Sequence, residues 1–286
     1  MDFSLSFILT SASFLVGLFI GAILNRIIIR LPKIIYMEHE AECNLNNKTF
    51  TRNILGIEFL IHPPSICFGC DKKNKLIEKI PVISWIWMRG KCRNCGYKIP
   101  FRFVIIEIFT GILTLFAILN FGLEVEGLLV ALLLWVLLVI SFIDIDERLI
   151  PDRIVLPFLW VGLFVNSFEI FTSLNDAVLG AIFGYLIFWF PYQIFKYFTN
   201  KEGMGYGDFK LLSLLGAWLG LNMLPLIIIL ASIAGMTFGI TQMIFRKKTD
   251  DNFFAFGPFL AISGVIGIFW GESIITSYHQ FFYLSY

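Results

Sequence analysis

The chain has 286 residues, 58% of them hydrophobic, with 32 phenylalanines and a mean hydropathy of +0.81. Soluble domains are typically about 45–50% apolar, and the surplus here lies in long runs, which excludes an ordinary soluble enzyme and indicates a polytopic membrane protein in contact with lipid. The net charge of +1 gives no ground for a nucleic-acid partner, and none is expected.

Eight apolar segments are predicted as spans: 5–28, 103–122, 127–145, 154–171, 177–195, 208–221, 224–245 and 258–278. Most reach the roughly 20 residues that cross a bilayer as a helix. The first is too long, and too poor in a small-residue cleavage site, to read as a removed signal peptide. The sixth is short, carries Lys210 near its start and runs into the seventh through Gly220, Leu221 and Asn222. The expected fold is therefore all-α, with about eight transmembrane helices. Three parts are expected: a first helix (1–29), a polar cytoplasmic insert (30–102) and a seven-helix membrane domain (103–286).

Orientation follows from the basic residues. With the N-terminus outside and eight crossings, all 22 Lys and Arg fall in inside loops or at inside ends of spans. Fourteen of them lie between Arg26 and Arg102, against six acidic residues. The others are Arg148, Arg153, Lys196, Lys201, Lys210, Arg246, Lys247 and Lys248. Both termini are then outside.

The insert contains Cys67-Phe68-Gly69-Cys70 and Cys92-Arg93-Asn94-Cys95, separated by 21 residues. Two thiolates two residues apart reach one face of a tetrahedral metal, and two such knuckles close the site as in a zinc ribbon. Gly69 and Gly96 suit the turns, and a reducing compartment favours metal over disulfides. A closed four-thiolate zinc site leaves no open position for water, so the metal is expected to be structural. Cys43 reads as a thiol outside this set.

Two acids stand apart. Asp144 is the first acid met on leaving an apolar run, and Asp208 follows three glycines in five positions (Gly203, Gly205, Gly207). A carboxylate at the edge of hydrocarbon is costly and marks a functional site. The neighbouring Asp146, Glu147 and Arg148 read as a solvated turn, Asp152 as a helix N-cap or first-turn acid, and Lys210 as a snorkelling interfacial lysine. Two carboxyls in a low-dielectric site do not both ionise. The ionised one takes a proton from water while the neutral one hydrogen-bonds a scissile carbonyl, which is peptide hydrolysis without a metal.

Five stretches resemble type IV prepilin peptidases over nearly the full chain. They are GAILNRIIIRLP (Gly21–Pro32), the two cysteine pairs with Arg89-Gly90-Lys91-Cys92, SFIDIDERLIPDRIVLPFLW (Ser141–Trp160), KEGMGYGDFKLLSLLGAW (Lys201–Trp218) and FGPFLAI (Phe256–Ile262). The fourth holds the GxGD core of intramembrane aspartyl proteases. The resemblance implies that Asp144 and Asp208 are the catalytic pair, in a bacterial cell inner membrane with the site facing the cytoplasm. It implies prepilin or pseudopilin substrates of a type IV pilus or type II secretion system, cut before their apolar helix. It also implies N-methylation of the new N-terminus with S-adenosylmethionine, an activity associated with the insert around Cys67–Cys95. No methyl-donor residues are derivable; Gly90 is a candidate for a required turn. The chain departs from the family before the second span, where Phe103-Val104 lacks the usual proline, while Glu107 matches the family's acid. Two other readings are a proton-coupled transporter, against which the acids sit at one face rather than the midplane, and a membrane scaffold recruiting a partner through its zinc module.

Overall fold

The computed structural model describes residues 3–43, 70, 81–201, 203–245 and 255–283. Cys67, Gly69 and the basic run Arg246–Lys248 lie outside the described residues, as does the side chain of Cys43. The described regular structure is helical: α1 (Phe3–Cys43), α2 (Ile83–Trp87), α3 (Arg102–Phe121), α4 (Val125–Glu147), α5 (Asp152–Asn166), α6 (Leu174–Thr199), α7 (Tyr206–Leu219), α8 (Leu224–Phe245) and α9 (Gly257–Tyr283). A 3-10 turn, Leu221–Met223, separates α7 from α8.

A helix falls at each of the eight predicted segments. Six are long and apolar enough to cross a membrane: Leu9–Glu40, Arg102–Phe121, Val125–Glu147, Leu174–Thr199, Leu221–Phe245 and Gly257–Phe281. Of the other two, α7 is as short as its predicted segment and α5 is shorter than predicted. α5 has 15 residues and α7 has 14, about 22 and 21 Å of helix against roughly 30 Å of hydrocarbon. α1 departs the other way: it continues beyond the predicted end at 28, through Pro32, to Cys43.

The chain forms two compact units, Met1–Val139 and Ile140–Tyr286. In the first, α1 packs along α3. Their backbones meet where side chains vanish: a Cβ on Gly21 would lie 2.7 Å from the Cα of Glu107, and one on Gly17 would lie 2.8 Å from the Cα of Gly111. Small residues permit this approach, and close van der Waals packing is what holds helices together in lipid.

In the second unit α7 is the centre. It contacts α5, α6, α8 and α9, and from Asp208 to Trp218 it is buried except at Lys210. An interior helix of this kind need not span the bilayer, because protein covers its sides from Asp208 to Trp218. Its closest neighbour is α6. Gly216 of α7 and Gly180 of α6 touch backbone to backbone, so that a Cβ on either would overlap the other's carbonyl. One turn on, Gly184 lies against Leu212 and Ser213, and the Ser213 hydroxyl donates to the Ala181 carbonyl at 2.6 Å. The far end of α7 is tied by Asn166. Its amide donates to the carbonyls of Ala217 (2.9 Å) and Trp218 (3.0 Å), and its oxygen accepts from the N–H groups of Phe171 and Thr172. The Trp218 indole donates to Phe158 O at 2.8 Å.

Candidate functional site

Asp144 lies in the last turn of α4, where the run Leu132–Ile143 has carried the helix through the core. It is 5% exposed. Its Oδ2 accepts the backbone N–H of Gly257 at 2.9 Å. Gly257 opens α9, so this N–H is one of the four that a helix start leaves without an intrahelical acceptor, and the positive end of the helix dipole faces the carboxylate. Glycine leaves room for this bond: a Cβ would sit 2.7 Å from that same oxygen, and the carboxyl would have to shift. Pro258 follows in the first turn, where its missing N–H costs nothing.

Asp208 lies in the first turn of α7, capped by Gly205, and is 8% exposed. Its helix start is shaped by Ile150, from the segment before α5. A Cβ on Gly207 would lie 2.6 Å from the Cβ of Ile150, and one on Gly257 would lie 3.1 Å from the Ile150 Cδ1. Ile150 therefore wedges between the glycine preceding Asp208 and the glycine bonded to Asp144. The carboxyls are near enough for the charge of Asp144 to act on Asp208. At Gly205 the surroundings open: the described atom nearest to a Cβ placed there is Asp208 Oδ2, at 3.7 Å.

Aromatic rings cluster around the start of α7, on both sides of Asp208 in the chain. Tyr192, Tyr206 and Phe209 stack edge to face with centroids 5.1–5.6 Å apart, and Tyr185 joins at 5.9 Å from Phe209. Sequence reasoning missed this cluster and the roles of Ile150 and Gly257. The motif FGPFLAI marked the place of Gly257, but not its partner.

The neighbouring charges behave differently. Asp146 and Glu147 are exposed. Asp152 is the first-turn acid of α5, whose N-cap is Pro151. Lys210 does not snorkel as expected. Its Nζ donates to both carboxylate oxygens of Asp152 at 2.7 Å, joining the starts of α5 and α7. The lysine is 27% exposed and the aspartate 53%, so solvent screens most of the attraction. Lys210→Met is expected to cost less than about 1 kcal/mol, read as a small change in melting temperature in detergent; a loss of several degrees would show the pair to be a structural clamp.

Among the expected metal ligands, Cys70, Cys92 and Cys95 have sulfurs all within 4.8 Å of one another. Tetrahedral thiolates on a common zinc stand about 3.8 Å apart, so the donor set fits such an ion with little closure. The Cys92 knuckle is built by backbone bonds from Gly96 N–H to Cys92 O and from Cys92 N–H to Tyr97 O, both 2.9 Å. Gly90 makes the turn that leads into it, at φ +65° with a Cβ position 2.8 Å from the Trp85 ring. The Trp85 indole closes the loop by donating to Ile99 O at 3.1 Å.

The profile described as "Type IV leader peptidase family" matches residues 131–240, and that described as "Bacterial Peptidase A24 N-terminal domain" matches 15–121. A protein of Stutzerimonas stutzeri named "Prepilin leader peptidase/N-methyltransferase" is 41% identical over 278 residues, covering 97% of this chain and 95% of its own. One of the same name from Pseudomonas aeruginosa is 40% identical over 285 residues, with coverages of 97% and 95%. Another, from Legionella pneumophila, is 38% identical over 267 residues, with coverages of 92% and 93%. No solved structure matches.

Proposed function

The chain belongs to the type IV leader peptidase family, and from that premise we propose that it removes the leader of prepilins or pseudopilins and then methylates the new N-terminal amine. One observation carries the peptidase half: Asp144 and Asp208, the acids singled out in the sequence, are both buried in the same helix cluster, with the first held by the start of α9. In this reading the pair acts as general base and general acid. The ionised carboxylate takes a proton from water, whose oxygen attacks the scissile carbonyl carbon. The protonated carboxyl hydrogen-bonds the carbonyl oxygen as it gains charge, and the amine then leaves with a proton.

The reading extends to place and topology. The chain is a multi-pass membrane protein of the bacterial inner membrane, with the aspartates at its cytoplasmic face and both termini outside. The concentration of Lys and Arg between Arg26 and Arg102 supports this. S-adenosylmethionine is the methyl donor, taken as a co-substrate. Structural zinc is held by Cys70, Cys92 and Cys95, with Cys67 as the fourth ligand. It would fix the 81–101 loop against α3 and take no part in bond breaking. Neither the family nor the helix arrangement favours the transporter or the scaffold.

The purified protein, given a prepilin and S-adenosylmethionine, should return a shortened pilin that gains the mass of one methyl group. An unshortened product would end the peptidase reading. Zinc is expected at one ion per chain by elemental analysis. The double variant Cys92→Ser, Cys95→Ser should lose it and melt at lower temperature. Full zinc occupancy in that variant would place the ion elsewhere.

A further inference from the structure

The motif around Asn25 and the acid Glu107 play no part in the aspartate site, yet they form one polar centre between α1 and α3. The close contact of Gly21 with the Glu107 backbone sets it up. One turn further along α1, Asn25 faces Phe103 and Glu107. Its Nδ2 donates to Phe103 O at 3.0 Å and to Glu107 Oε1 at 3.5 Å. Two acceptors on that nitrogen fix the orientation of the amide, so its oxygen points away from them. That oxygen, Oδ1, is buried without a hydrogen-bond partner, and it is the one such side-chain atom among the described residues. The residue as a whole is 7% exposed. A buried acceptor left unmet costs about 1–3 kcal/mol, and such an atom calls for a donor.

The second observation concerns the cover. Glu107 Oε2 accepts the backbone N–H of Val82 at 2.7 Å. Val82 makes that bond at φ +57°, a left-handed conformation that a β-branched residue adopts only under strain. A strained backbone donor thus occupies an acidic acceptor, beside an amide oxygen that has no donor among the described residues. Everything the centre has to offer is acceptor capacity. It suits a group that is cationic and carries several N–H bonds. A primary ammonium has both the charge and the N–H bonds.

We propose that Asn25 and Glu107 are the seat of the free α-ammonium group created by leader cleavage. This rests on the methylation reading given above. The ammonium displaces the Val82 N–H, relaxing that residue, and donates to Glu107 and to Asn25 Oδ1. One proton passes from the ammonium nitrogen to the Glu107 carboxylate. The freed nitrogen lone pair then forms the N–C bond to the methyl carbon of S-adenosylmethionine, and the C–S bond electrons stay on sulfur. The product is a methylammonium and a neutral thioether, and Glu107 returns its proton to water. The carboxylate and the amide oxygen together select a free amine and hold its lone pair toward the donor.

The test uses the full-length protein in detergent and two synthetic peptides of an apolar pilin N-terminus, one with a free α-amine and one N-acetylated. Without methyl donor, wild type should bind the free amine about tenfold more tightly, as expected for losing hydrogen bonds to charged partners. Glu107→Gln and Asn25→Leu, compared at equal folded protein by gel filtration, should bind the two peptides alike. With donor present, Glu107→Gln should raise the KM for the free peptide and lower the methylated yield about tenfold. Equal binding of both peptides by wild type would overturn the seat, whatever the variants do. So would a Glu107→Gln protein that kept the preference. If wild type prefers the free amine but never methylates it, the methylation reading fails and the seat stands.

Discussion

Asparagine at Asp144 or at Asp208 is expected to reduce leader cleavage on the order of 10³-fold or more, below detection in a routine membrane assay. The two substitutions should fail for the same reason. An amide at either position neither accepts the proton of the attacking water nor donates the proton that the carbonyl needs. Asp144→Asn retains an oxygen for the Gly257 N–H, so the start of α9 should stay in place and the protein should melt near the wild-type temperature. Loss of activity without loss of fold is therefore the expected signature. Asp146→Asn, at an exposed position of the same helix turn, should cut activity severalfold at most. Retained cleavage in Asp144→Asn or Asp208→Asn would remove that residue from the catalytic pair. An inactive Asp146→Asn would shift the register of the reactive turn.

A methyl group at Gly216 is expected to do more harm to the fold than any surface change. The Cβ of Gly216→Ala would overlap the carbonyl of Gly180, and no side-chain rotation relieves a clash with backbone. Overpacking in a core typically costs about 1–3 kcal/mol, and this contact, backbone on both sides, belongs at the upper end. α7 would have to move away from α6, and it carries Asp208 at its start. Gly216→Ala should therefore lower the melting temperature and the cleavage rate together, and Gly216→Val should leave little folded protein. The measurement is thermal unfolding in detergent alongside cleavage at a permissive temperature. An Ala variant with unchanged melting would mean that the two helices do not meet at this crossing.

Apolar runs made the helices legible because a 20-residue stretch without charges has few alternatives to a buried helix. The two acids were legible by contrast, as costly residues in cheap surroundings. The carboxylate of Asp144 is held by an N–H 113 residues later, and no local pattern announces that. Ile150 looked like one more apolar residue before a proline, and only packing gives it its place between two glycines. Gly180 and Gly184 did carry a readable signal, the four-residue spacing of small residues that marks close helix crossings. The length of α5 was misjudged for a related reason. Hydropathy counts apolar residues and cannot say whether lipid or protein covers them, and α7 is covered by protein. The end of α1 was misplaced because charge marks the edge of a hydrocarbon layer, whereas a helix continues wherever its residues still favour it.

That sheathing of α7 sets how the molecule answers to its solvent. Membranes differ in thickness, and exposed helices respond by tilting or by deforming the lipid around them. α5, α6, α8 and α9 contact α7 on their inner sides, so they take up such adjustments while the helix bearing Asp208 is packed against protein from Asp208 to Trp218. The carboxyl of Asp208 is thus insulated from mechanical mismatch, and its geometry belongs to the protein rather than to the bilayer in which the protein is dissolved.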